Sequence, residues 1–252
     1  MKLGLIPYSV TLEMAIIKSI SDLSREDMAA AVQYALEIRV AELVEYWVKR
    51  TGIHNLVVAG GIFANVKLNE RIAELPGVES FFVYPNMGDG GNAFGAAALA
   101  YWEHNHFEAT TNRLHDVYLG PEFSDAEIEE ELTRHKNLEY QKVENAPEEA
   151  ARLIADKKIV GWFQGRMEYG PRALGNRSIL ADPTDTSINA WLNKRMRRSE
   201  FMPFAPSCLY EAAEEVFDIQ KESMKFPAEF MTITFRMKPE WQKRVPAVAH
   251  VD

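Results

Sequence analysis

The chain has 252 residues, of which 47% are hydrophobic and 26% charged, the balance of an ordinary globular protein with room for two modest domains. A net charge of −9 argues against a broad nucleic-acid-binding face. No apolar run approaches the ~20 residues of a membrane span, and the N-terminus lacks a secretory pattern. The single cysteine, Cys208, excludes an internal disulfide, points to a reducing cytoplasm and reads as a small buried side chain.

In chain order, Ser24 to about Arg50 reads as one amphipathic helix. Met28, Val32, Leu36, Val40, Leu43 and Trp47 recur every three or four residues, and Ser24 with Asp27 resembles a capping box. Asn55–Ala59 reads as a buried strand ending in Gly60-Gly61, followed by a helix near Asn65–Leu75. Glu79–Pro85 is expected as a second strand. The turn Asn86–Gly91 (NMGDGG) then opens a helix over Asn92–Glu103, whose alanines predict close packing. Strand, glycine turn and helix in alternation indicate an α/β domain with ligand groups at the strand ends.

A polar, aperiodic stretch places a linker near residues 105–115. Glu127–Glu131 reads as an exposed helix face. Beyond it, the pattern predicts a strand at Leu138–Val143, a helix at Pro147–Asp156 and a strand at Lys158–Gln164. A helix at Thr184–Arg198 and a late strand at Glu229–Met237 complete the reading.

The most informative stretch is Gly165–Pro183, GRMEYGPRALGNRSILADP, which follows an apolar strand. Arg166, Arg172 and Arg177 stand among glycines and a proline. That composition lets backbone approach a ligand while guanidinium forks grip phosphate or carboxylate. From Arg166 to Arg198 seven Lys/Arg face three Asp/Glu, opposing the acidic background. The alternative is a solvated basic surface. Gly60-Gly61 with Asn65 could cradle a nucleotide phosphate at a helix N-terminus or form a plain tight turn. Asp89 could bind a metal, catch a hydroxyl or simply cap the following helix. None of the six histidines pairs at i,i+4, so the histidines alone build no metal face.

Taken together, GRMEYGPRALGNRSILADP, KRMRRSEFMPFAPS, AGGIFANVKLN and YPNMGDGGNAFGAAALA resemble the ATP-dependent O-carbamoyltransferases of nodulation-factor and antibiotic biosynthesis. The resemblance implies an α/β protein in two parts. Residues 1–108 would be the second half of an actin/Hsp70/sugar-kinase-like domain. Residues 109–252 would be a truncated α/β carbamoyl-adenylate-forming domain, related to the fold used in tRNA threonylcarbamoyladenosine synthesis. It further implies that ATP and carbamoyl phosphate give carbamoyl-adenylate, whose carbamoyl group passes to a hydroxyl of a sugar or antibiotic-like acceptor. Gly60, Gly61 and Asn65 then fall on the nucleotide segment, and Asp89 on a ligand of iron or magnesium in the complete protein. Arg172, Lys194 and Arg198 become the catalytic phosphate pocket, supported by Arg166, Glu168, Arg177 and Ser178.

Three departures accompany the resemblance. The family's His-x-x-x-His iron motif and its opening phosphate-binding hairpin are not found in this sequence. The family continues beyond the segment matching Val245–Asp252. Met202 stands where arginine is common, which removes one phosphate contact. The expectation is an incomplete protein whose partner is the missing N-terminal half, and which by itself turns over no substrate. A threonylcarbamoyladenosine synthesis factor and a non-enzymatic anion- or RNA-binding module are the competing readings.

Overall fold

The computed structural model describes residues 18, 21–105, 114–198 and 202–250. Helix α1, Arg25–Thr51, begins where the Ser24 hydroxyl accepts the Asp27 amide and ends at Gly52, whose left-handed backbone returns its N–H to Val48 O. Acidic side chains in its first turn and basic ones in its last suit the helix dipole. Strand β1, Asn55–Val58, runs parallel to β2, Ser80–Val83, with Leu56 opposite Phe81. The connection between them is helix α2, Val66–Ala73, capped by Asn65, whose side-chain Oδ1 accepts the Leu68 N–H.

Leu68 and Ile72 of α2, Val83 of β2, and Ala41 and Val48 of α1 form one apolar core. Met224 and Ile233, from far along the chain, complete it. The return is fixed by polar contacts as well. Asn69 Nδ2, fully buried, donates to Phe63 O and Thr232 O, each at 2.7 Å. Lys221 Nζ donates to Ala73 O, Leu75 O and Val78 O, three carbonyls around the end of α2, of which Leu75 O also accepts the Val78 amide. The residues from 221 to 234 therefore belong physically to the β1–β2 layer.

Helix α3, Asn92–His104, follows the glycine turn, and all thirteen of its residues are exposed. The close packing expected from its alanines is not found among the described residues. Phe94 stacks on Tyr84 at 5.2 Å, but Leu99 and Tyr101 face outward, as does Val57 at 76% exposure, so β1 is not the buried strand expected: Asn55 and Val57 are exposed and Leu56 and Val58 half-buried.

The second unit opens with α4, Asp125–Arg134, started by a complete Ser124/Glu127 capping box. The acidic run is thus an exposed helix face, as read. Helix α5, Ala146–Ala155, leads into β3, Val160–Phe163, which pairs antiparallel with β4, Arg177–Leu180. The residues between them form the arginine loop. Helix α6, Ser187–Arg195, is followed by α7 (Ala213–Val216), β5 (Phe217–Asp218), α8 (Lys225–Glu229), β6 (Arg236–Met237) and α9 (Pro239–Arg244).

Three further expectations are corrected. Leu138–Val143 is exposed and forms no strand, because no neighbouring strand offers it a ladder among the described residues. Glu229–Met237 is a strand only at Arg236–Met237. Before that, α8 ends at Glu229, Met231 turns left-handed at φ 54°, and Thr232 is pinned to Pro227 O by both its amide and its hydroxyl. Cys208 is exposed rather than buried, since the segment 205–210 lies along the surface. The expected linker lies largely outside the described residues.

Candidate functional site

Two glycine turns sit side by side at the ends of β1 and β2, joined by Gly60 N–H donating to Met87 O at 2.6 Å. Nothing lies within 4 Å of where a Gly61 side chain would begin, so that side of the turn is open. Asn65 serves as the α2 cap, and its amide exchanges hydrogen bonds with Gln33 of α1. In the second turn a Cβ at Gly91 would fall 2.2 Å from Asn86 O, so only glycine allows this closure. Asp89 is exposed on the turn and makes no side-chain hydrogen bond or ion pair to a described residue. The described residues contain no cluster of three His, Cys, Asp or Glu suited to a metal, and Asp89 offers one isolated carboxylate.

The arginine loop is organised from within by Glu168, which is 7% exposed. Its Oε1 accepts the amides of Leu174, Asn176 and Arg177 at 2.7, 2.8 and 3.2 Å. Burial by itself raises this carboxyl's pKa, but the amide hydrogen bonds outweigh it and hold the group below its ordinary value. The remaining amide of the turn, Gly175 N–H, donates to Ser178 Oγ. Glu168 and Ser178 thus shape the loop, and the side chain of neither is turned outward.

Arg177 donates to Gln164 O, Asn176 O, Gly165 O and Pro121 O, with its guanidinium 3.5 Å over the Phe163 ring. Arg166 donates to Gly120 O and Leu119 O. A fixed fork of donors suits closely spaced carbonyls as well as it suits phosphate, and here it binds the segment 117–121 to the loop. Main-chain bonds reinforce that join, with Gly120 N–H to Met167 O and Met167 N–H to Pro121 O.

Arg172 differs from both. It bridges Ala64 O, just after the first glycine turn, at 2.9 Å and Met231 O at 2.8 Å. Its Nε–H is buried without a partner, and it forms no ion pair with a described carboxylate. Burial lowers its pKa, although a guanidinium stays charged across the physiological range.

Lys194 and Arg198 are exposed on and just beyond α6, and no hydrogen bond among the described residues joins them to Arg172. Arg198 lies over the Phe204 ring at 5.1 Å. Asn193, next to Lys194 and buried, holds the Met202 main chain through Nδ2 to Met202 O and Oδ1 from Met202 N–H. Sequence reasoning passed over Asn193, Tyr118 and Tyr169. Tyr118 Oη donates to Leu174 O, and Tyr169 Oη to Gly90 O at 2.7 Å. The YG pair opening GPR was the available signal for Tyr169; a lone asparagine on a helix gave none for Asn193.

The fold and site define an α/β protein whose arginine-bearing loop is pressed against two glycine turns. Carbamoyltransferase N-terminus and C-terminus models match residues 9–98 and 151–252 respectively. The chain belongs to the carbamoyltransferase family. The uncharacterized protein MJ1058 of Methanocaldococcus jannaschii is 39% identical over 232 residues, covering 90% of this chain and 37% of its own. Nodulation protein NolO of Bradyrhizobium diazoefficiens is 36% identical over 229 residues, 90% and 41% of the two chains. Nodulation protein U of Rhizobium tropici is 32% identical over 244 residues, 94% and 39%. The chain spans less than half the length of these relatives.

Proposed function

We propose that this chain is the nucleotide- and carbamoyl-phosphate-handling part of an O-carbamoyltransferase, in which carbamoyl phosphate loses phosphate to water as carbamate, carbamate displaces pyrophosphate from ATP to give carbamoyl-adenylate, and a small hydroxyl-bearing molecule takes the carbamoyl group as AMP leaves. One observation supports this above the others. Arg172 is a half-buried cation on the arginine loop that reaches the first glycine turn, with no described carboxylate to balance it and a buried donor, its Nε–H, left over. A buried polar group without a partner calls for a ligand or water there, and an anion satisfies both its charge and its hydrogen. As carbamate attacks the α-phosphate, negative charge builds on oxygen, where a guanidinium fixed by two carbonyls stabilises it without reorganising.

In this reading the first unit corresponds to the second lobe of a kinase-like domain, with Gly60, Gly61 and Asn65 forming its nucleotide wall. Asp89 supplies one oxygen to a divalent cation, iron or magnesium, whose other ligands come from elsewhere. Lys194 and Arg198 serve as mobile cations that join when substrate is bound. The exposed apolar α3 and the outward Val57 are the surfaces that the proposed N-terminal half of a longer protein would cover. No helix among the described residues is long and apolar enough to cross a membrane, and the cytoplasm is the proposed setting.

The deciding experiment is pyrophosphate release from ATP plus carbamoyl phosphate, comparing this chain with a form extended at both ends. Turnover in the longer form, with loss on Arg172→Gln, is expected. A longer form that binds neither compound, tested by thermal shift, overturns the proposal.

A further inference from the structure

We propose that Tyr169 is a positioning residue that makes the arginine loop and the Asp89 turn a single moving unit. The inference rests on the proposed function in taking these two segments as walls of one site. Its geometric basis is independent of any ligand.

The two segments lie about 80 residues apart in sequence, as the separation of 79 between Tyr169 and Gly90 records, yet the phenol joins them directly at 2.7 Å. Each end of that bond is stiff. On the loop side, Tyr169 N–H donates to Val117 O at 2.7 Å, and the preceding residue is Glu168, whose carboxylate gathers three loop amides. On the turn side, Gly91 N–H closes on Gly88 O, and Gly91 sits against Asn86 O where no side chain would fit. A hydrogen bond between two floppy segments would transmit little. One between two internally fixed segments transmits displacement.

The neighbouring residues repeat the arrangement. Gly170 has φ +133°, a backbone state side-chain-bearing residues avoid, and the position a Cβ would take lies 3.4 Å from Pro85 O. Tyr84, next to Pro85, has its phenol pushed up to about 12 by burial and by the charge of the Tyr169 phenol. Two residues further on, Arg172 reaches Ala64 O beside the other glycine turn. Within four residues the chain touches the end of β2, the Asp89 turn and the Gly60–Ala64 turn. A shift of either turn around a ligand must therefore carry the loop's Tyr169–Arg172 corner with it, and with it the orientation of the Arg172 guanidinium.

Hydrogen exchange followed by mass spectrometry on the full 252-residue chain tests this, with wild type, Tyr169→Phe and Gly170→Ala, each with and without ATP and Mg2+. Tyr169→Phe keeps the ring and removes only the hydroxyl; Gly170→Ala strains the same junction by a different route. In both variants the amides of residues 88–92 and 174–177 are expected to exchange about fivefold faster together, the change that the net worth of one hydrogen bond sets, while α1 is unaffected. In wild type, ATP slows exchange in both segments. In Tyr169→Phe it slows only residues 88–92, a loss of transmission that a merely structural role does not produce. Acceleration confined to the loop, or ATP protection still reaching 174–177 in both variants, overturns the coupling. No ATP protection in wild type, with the two segments still accelerating together, removes the nucleotide reading and leaves the coupling standing.

Discussion

Removing the Glu168 carboxylate tests whether the arginine loop is built around it. Oε1 accepts three amides at 2.7–3.2 Å in a site that is 7% exposed. Hydrogen bonds to a charged acceptor contribute about 1.5–3 kcal/mol each, and amides left unpaired cost about 1–3 kcal/mol each where water is excluded. Water re-enters part of a truncated loop, so Glu168→Ala is expected to lower unfolding free energy by about 3–5 kcal/mol in urea titration. Glu168→Gln keeps one carbonyl acceptor and loses the charge, and an intermediate cost of about 1–3 kcal/mol follows. The pH dependence carries the sign. The folded carboxyl is held below its ordinary value of 4.5, so its contribution is complete above 4.5 and is lost as pH falls through the lower folded value. Glu168→Gln should flatten that part of the acid limb. Trypsin cleavage after Arg166, Arg172 and Arg177 should speed up in both variants. A Glu168→Ala protein within 0.5 kcal/mol of wild type, on the usual scale of a neutral surface change, would refute the reasoning.

Three further outcomes follow from single contacts. Gly91→Ala places a methyl 2.2 Å from Asn86 O, so the turn must open, with a loss of about 2–3 kcal/mol in thermal unfolding; an unchanged melt contradicts the close approach. Lys221→Met leaves Ala73 O and Val78 O without their donor and Leu75 O with the Val78 amide alone, and is expected to cost about 2–3 kcal/mol, read in the same assay, with a value near zero showing that water replaces the ammonium. Tyr84 titrates near 12 in the folded chain against 10.0 ordinarily, so the neutral phenol's contribution is full below 10.0 and disappears as pH rises toward 12. Tyr84→Phe should remove that alkaline loss of stability, measured as melting temperature against pH.

Elements fixed by local signals were the legible ones. Ser24 and Gly52 bound α1, Asn65 caps α2, and both parallel strands fall within the expected runs. The late strand failed because β propensity in EFMTITFRM yields to tertiary contacts at Thr232 and to the left-handed Met231. Leu138–Val143 failed because a strand needs a neighbour that sequence period alone does not supply. Within the site, the constrained turn around Arg172 was legible, since the residue stands between Gly170-Pro171 and Leu174-Gly175. What the pattern did not disclose was where the other guanidinium groups point. Arginines that bind phosphate and arginines that bind loop carbonyls share one composition, and only the segment 117–121 lying alongside decides between them.

The return of Met224 and Ile233 to the first unit has a consequence for biogenesis. A ribosome delivers Leu68, Ile72 and Val83 long before it delivers the side chains that seal them, so the early portion of the nascent polypeptide emerges with its interior still open. Chaperone attention should concentrate on that interval, and release from it should coincide with synthesis of the closing segment.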